Sequence, residues 1–170
     1  MGNSISNFNQ QKIVSLSNGA TSVLYEVILL AGSKIAKTTW EKKIMIWIAE
    51  RDQSIVGLGI VGFDITKLGW SKSKFYQQKE FMITILSNAI KNKEWKKLDY
   101  NPNEEIITNK LKEVLDIFEN LMIDEISEEK RKWYKEPSDE ELNQKCKIHN
   151  IYLNNLSTQE SQRCQLCNNN

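Results

Sequence analysis

Histidine occurs once in this 170-residue sequence, cysteine three times, proline twice, and arginine three times against twenty lysines. Each scarcity excludes something. With one histidine, the chain has little from which to build a Ser-His or Cys-His catalytic constellation. With two prolines, long stretches are free to run as unbroken helix. No apolar run reaches 18 residues; the longest apolar-rich stretch, Val23 to Ala31, is interrupted by Glu26, so no transmembrane segment is expected. The first twenty residues are polar and lack a basic start followed by an apolar centre, so no secretory signal is read and a cytoplasmic protein is expected. A net charge of +1 advertises no global field for nucleic acid or membrane. What remains, 40% hydrophobic and 26% charged, suits a domain that buries roughly 70% of its unfolded surface, which excludes low-complexity and collagen-like chains.

Charge is unevenly distributed. Residues 102–142 carry thirteen acidic and six basic groups, whereas 68–101 carry seven basic and three acidic. Within the acidic segment Ile106, Ile107, Leu111, Val114, Leu115, Phe118, Leu121 and Met122 recur at helical spacing and predict one long amphipathic helix. Pro102 reads as a first-turn residue behind Asn101, and Glu104 and Glu105 complement the positive end of the helix dipole. Phe75, Met82, Ile85, Leu86 and Ala89 predict a helix over about residues 73–92, with Ser71 or Ser73 as its cap. Thr38 and Glu41 form a capping box ahead of the apolar segment Ile44 to Ala49, read as a buried helix. Between Ser22 and Ala31 the pattern fits strand and buried helix equally. The expected fold is therefore mainly α, with a minor β element near 22–31 or 54–64. Its domains are a helical body, 1–142, whose residues 1–19 are flexible, and a C-terminal module, 143–170. Ser138 with Glu141 predicts a short helix that delivers the chain to Cys146.

All three cysteines and the histidine fall in that module, as Cys146-Lys147-Ile148-His149, fourteen residues, then Cys164-Gln165-Leu166-Cys167. Two residues between paired ligands let one tight turn present both to a single ion, and four such ligands complete a tetrahedral shell. Thiols grouped with a histidine form a metal set more naturally than a disulfide framework. The expectation is one structural Zn2+ per chain on Cys146, His149, Cys164 and Cys167, with no open coordination position for catalysis. The spacing resembles the zinc knuckles of zinc-ribbon and treble-clef-like modules over about 25 residues, and such modules serve nucleic-acid-binding and protein-binding proteins alike. Where those knuckles often carry Gly after the second ligand, this chain has Asn150 and Asn168, the next-best residue type for a left-handed turn.

Other motifs carry less. Gly57-Leu58-Gly59-Ile60-Val61-Gly62 matches a dinucleotide-binding string but lacks the preceding strand, following helix and distal acid that such a site needs. It is read as close packing beside the Trp47 helix. Glu26, Glu41, Glu50, Asp52 and Asp64 are acids in the apolar half without motif spacing, expected at the surface or at helix ends; no residue is assigned a catalytic role. Lys91, Lys93, Lys96 and Lys97 surround Trp95, a patch that would suit phosphates and base stacking. Met1-Gly2-Asn3-Ser4-Ile5-Ser6 fits a loose myristoylation pattern. By elimination the chain is expected to be a non-enzymatic intracellular protein-binding protein, its acidic helix facing a basic partner. A nucleic-acid-associated zinc factor is the alternative, and an enzyme built on the N-terminal acids comes third.

Overall fold

Burial resolves the ambiguous run at 22–31. The computed structural model describes residues 3–51, 61–92, 94–131, 136–153 and 164–169; the expectations placed on Gly2, Asp52, Gly57, Gly59 and Lys93 lie outside the described residues. Helix α1 spans Asn18–Ser33, opened by Ser17, whose side chain accepts from the Ala20 N–H. Every residue from Leu24 to Ser33 is buried. A helix satisfies its own peptide groups, so it can be enclosed on all sides, and at this position the alternating pattern gives way to tertiary packing.

Helix α2, Thr39–Ala49, begins at the expected capping box: Glu41 N–H donates to Thr38 Oγ1 at 3.2 Å, and the Glu41 carboxylate accepts from Thr38 N–H at 2.9 Å. Helix α3 runs Phe75–Ile90 and buries Phe75, Phe81, Met82, Ile85, Leu86 and Ala89. Neither Ser71 nor Ser73 caps it; a single 3-10 turn, Lys72–Lys74, leads in instead. Helix α4, Glu104–Glu119, is capped by Asn103, whose side chain accepts from Ile106 N–H, so Pro102 stands before the cap rather than in the first turn. The helix buries Ile107, Leu111, Val114, Ile117 and Phe118, while Ile106 and Met122, counted in the sequence stripe, are exposed. Lys79 of α3 donates to the carbonyls of Glu119 and Leu121, satisfying acceptors left open where α4 ends. Helix α1 touches α2, α3 and α4 and forms the centre.

Residues 1–19, expected as flexible, contain two paired strands. Strand β1, Ser4–Asn7, pairs antiparallel with β2, Lys12–Ser15, through a 3-10 turn closed by Gln11 at φ 54°. Strand β3, Phe63–Asp64, adds parallel to β1 and gives the order β2-β1-β3. Each strand is too short to display a period, which is why composition alone suggested a loose segment. Ile5 and Val14 supply the apolar contacts, each contributing roughly 1.5–3 kcal/mol on burial. The architecture is mainly helical with this small sheet at one side.

Gly32 of α1 packs directly against Met45 of α2. A Cβ there would lie 2.3 Å from Met45 Sδ and 3.3 Å from Ile85 Cγ2, and Met45 is itself fully buried. Gly32→Ala gains about 1 kcal/mol of helix propensity but forces a packed core to move, at a cost of about 1–3 kcal/mol. A net destabilisation of about 1 kcal/mol is expected as a lower urea midpoint at unchanged slope; a raised midpoint would show that the helices part without cost.

Candidate metal centre

The C-terminal ligands are set by local hydrogen bonding before any tertiary contact is considered. Ser138 and Glu141 cap each other reciprocally, Ser138 N–H to the Glu141 carboxylate at 2.7 Å and Glu141 N–H to Ser138 Oγ at 3.3 Å, and the short 3-10 turn Glu141–Asn143 follows. Beyond it Lys145 bridges Tyr152 across a hairpin whose tip is the first ligand pair. Cys146 N–H donates to Ile151 O at 2.9 Å and Asn150 N–H to Cys146 O at 2.8 Å. Asn150 takes the left-handed conformation, φ 56°, as its position in the knuckle predicts. Asn168 does not share that role: it lies within the 3-10 turn Leu166–Asn169. The second pair is closed by Cys167 N–H to Cys164 O at 3.2 Å.

Tertiary packing brings the two pairs together. Ile151, Tyr152 and Leu166 are buried in the same core as the helices, and Tyr152 N–H donates to Ser33 Oγ at the end of α1. Lys145 Nζ donates to the Ser33 carbonyl and lies over the Tyr152 ring. Ser33 is thus a two-sided dock for the hairpin, a role with no signature in sequence.

The resulting cluster has the dimensions of a coordination shell. Cys146, His149, Cys164 and Cys167 each present one ligand atom, all within 4.8 Å of one another. Sγ of Cys146 is 3.7 Å from Sγ of Cys167, and His149 Nδ1 is 3.6, 3.4 and 3.4 Å from the sulfurs of Cys146, Cys164 and Cys167. An ion about 2.3 Å from sulfur and about 2.0 Å from nitrogen defines tetrahedral edges of about 3.8 Å between sulfurs and about 3.5 Å from sulfur to nitrogen. Four of the six edges, the three from His149 and the one between Cys146 and Cys167, lie at those lengths, and the cluster could hold one metal ion.

The thiols are not equivalent. Burial would raise Cys146, but N–H groups of His149 and Ile148 directed at its sulfur outweigh it and draw the thiol down to about 6. Burial holds Cys164 and Cys167 above the ordinary thiol range. A bound dication would favour the thiolate form of all three.

The other candidate residues separate from this centre. Four of the N-terminal acids are buried rather than superficial. Glu41 is the capping residue of α2, Asp64 accepts from Thr66 N–H and Oγ1, and Glu26 accepts from the Tyr100 hydroxyl. Fully buried Glu50 has no hydrogen-bond partner for either carboxylate oxygen among the described residues. Most of the glycine string lies outside the described residues; after its last residue, Gly62, comes strand β3 rather than the helix a dinucleotide site requires. At its described end Val61 O accepts from Tyr25 Oη, and just beyond it the Phe63 ring stands 5.1 Å from Trp47. In the lysine patch Trp95 is only 6% exposed, so its ring is not offered to a base, and Lys97 pairs with Glu94 at 2.6 Å. Trp70 is buried as well. On α4, Glu113, Asp116 and Glu119 are exposed as the stripe predicts, with Asp116 bonded to Lys12 at 2.7 Å and Glu113 to Lys110.

No helix among the described residues is long and apolar enough to cross a membrane. No family model, curated protein or solved structure matches the chain.

Proposed function

We propose that Cys146, His149, Cys164 and Cys167 bind one Zn2+ as a structural site, and that the chain is a non-enzymatic, intracellular protein-binding protein. The observation that carries the metal reading is the convergence of three sulfurs and one imidazole nitrogen within 4.8 Å of one another, with four of the six edges at the 3.4–3.7 Å expected of a Cys3His tetrahedron. Three sulfurs and one imidazole suit zinc, and four protein ligands leave no position for a substrate or an activated water. Three unpaired thiols gathered on one site favour a reducing compartment. The binding role rests on a different feature, the row of exposed carboxylates on α4, which would steer a basic partner toward that face and raise the association rate more than the affinity.

Reversing Glu113, Asp116 and Glu119 to Lys is expected to leave the helical circular-dichroism signal intact and to slow association with the partner recovered by native pull-down by roughly tenfold or more. Reversing Lys96 and Lys97 to Glu is expected to leave that rate nearly unchanged. The opposite pattern, with binding lost on the lysine reversal and steeply salt-dependent, would replace the protein partner with a nucleic acid.

A further inference from the structure

Cys146 and Cys167 are the outer members of the ligand set, 21 residues apart along the chain, yet their sulfurs stand 3.7 Å from one another. Each is presented by its own segment. Cys146 N–H donates to Ile151 O at 2.9 Å within the hairpin, and His149 N–H donates to Cys146 Sγ at 3.4 Å, which fixes where that sulfur sits. Cys167 N–H donates to Cys164 O at 3.2 Å across the second turn. Ile151 and Leu166, one from each segment, are buried in the core of the helices, so both turns are seated on the body of the protein. A disulfide holds its sulfurs about 2.05 Å apart, so closing this pair asks for an approach of about 1.7 Å, which side-chain rotation can supply with the backbone bonds kept. Cys164 is placed differently. It is the most buried of the three at 6% exposure, whereas Cys167 is half-buried.

Given the zinc reading of this centre, on which the inference rests, we propose that the site responds to oxidant: hydrogen peroxide joins Cys146 to Cys167 and the metal is released. The Cys167 thiolate attacks one peroxide oxygen. A sulfur–oxygen bond forms, the oxygen–oxygen bond breaks, and the hydroxide that leaves takes a proton from solvent to become water. The Cys146 thiolate then attacks the sulfur of the Cys167 sulfenic acid; the sulfur–sulfur bond forms as the sulfur–oxygen bond breaks, and a second hydroxide leaves and is protonated. The two sulfurs together give up two electrons, which reduce the peroxide to two waters. His149 and Cys164 are then the only donors left, too few for a structural zinc shell.

Which sulfurs pair decides what happens to the fold. A bond between Cys164 and Cys167 would lie inside one turn and leave the hairpin untethered once the metal is gone. The bond from Cys146 to Cys167 joins the same two segments that the ion joins. The seat of the hairpin on α1, where Tyr152 N–H donates to Ser33 Oγ, is therefore kept in the oxidised, metal-free form.

The test treats zinc-loaded protein with a small excess of hydrogen peroxide, quenches it with catalase, and reads zinc release with a chromophoric chelator, the remaining thiols, and the disulfide map by tandem mass spectrometry without reduction. Loss of two of the three thiols together with the zinc is expected, with Cys146 joined to Cys167, Cys164 free, and the starting state restored by dithiothreitol and zinc. Amide exchange at Tyr152 should stay as slow as in the zinc-loaded protein, in contrast to reduced protein stripped by chelator. The proposal is overturned by a disulfide that includes Cys164, by a disulfide between chains, or by sulfinic or sulfonic acid as the main product. It is equally overturned if zinc and three thiols survive peroxide that converts free glutathione to its disulfide, or if Tyr152 in the oxidised protein exchanges as fast as in the stripped one. The zinc content before oxidation decides the metal reading separately: protein that takes up no zinc denies that reading, while the disulfide map of the same sample still decides the pairing.

Discussion

Cys164→Ser is expected to lower the zinc content of freshly purified protein from about one per chain to well below half, and to release the hairpin from the end of α1. The physical basis is cooperative. Structural zinc contributes about 10–16 kcal/mol in small modules, and the four ligands here come from two segments that the ion would join. A serine hydroxyl is a poor ligand for zinc and leaves three donors and an open position. Amide exchange should therefore quicken at Cys146, Asn150 and Tyr152, whose N–H groups donate within the hairpin or to Ser33. Helices α1 to α4 should keep most of their protection, because Leu24, Leu29, Ile44, Ile85 and Leu111 are fully buried among themselves. Chelation of the wild type should produce the same exchange pattern. Unzincked wild type with unchanged hairpin protection would show that the cluster is held by packing alone and that metal is not its purpose.

A stability that declines between about pH 4.5 and 7, and that Glu50→Gln makes nearly flat, is the second large effect. Burial raises the Glu50 carboxyl from 4.5 to about 7, against Arg51 and Arg131, which favour its charged form. Below pH 4.5 both folded and unfolded chains hold the proton and Glu50 adds no pH dependence. Between 4.5 and 7 the unfolded chain releases it while the folded chain retains it, so unfolding is favoured progressively as pH rises; above 7 the loss is complete. Its full size is about 3 kcal/mol, an upper figure because removing the acid also leaves Arg131 with less compensation. Glu50→Gln should accordingly match the wild type near pH 4.5 and exceed it by about 1–3 kcal/mol at pH 8. Comparing urea midpoints of the two zinc-loaded proteins at each pH cancels the proton dependence of the metal site. A variant less stable at pH 8 than at pH 4.5, relative to wild type, would mean that Glu50 is charged and paired.

These two residues also mark what was readable in advance. The metal ligands were legible because coordination chemistry constrains residue type and local spacing together: a Cys-x-x-His and a Cys-x-x-Cys announce two half-sites whatever the rest of the chain does. The capping boxes at Thr38 and Ser138 and the stripes of α3 and α4 were legible for the same reason, since helix period and cap chemistry act within a few residues.

Glu50 was not, because its protonation is set by burial and then by the charges of Arg51, Arg131 and Glu141, the last two about eighty and ninety residues away along the chain. Nor was β1: Ser6 and Asn7 look like solvated residues until β2 and β3 close on either side. Trp95 next to four lysines read as an open stacking surface, and only packing shows its ring turned into the core. By itself, then, the sequence determined a mainly helical chain and its four clustered ligands, features that local periodicity and donor chemistry dictate. Tertiary structure decided that Val23 to Ala31 is helix, that Ser33 seats the hairpin, and that Arg131 is clamped between Trp40 and Gly69, because each depends on which distant surface excludes water from it.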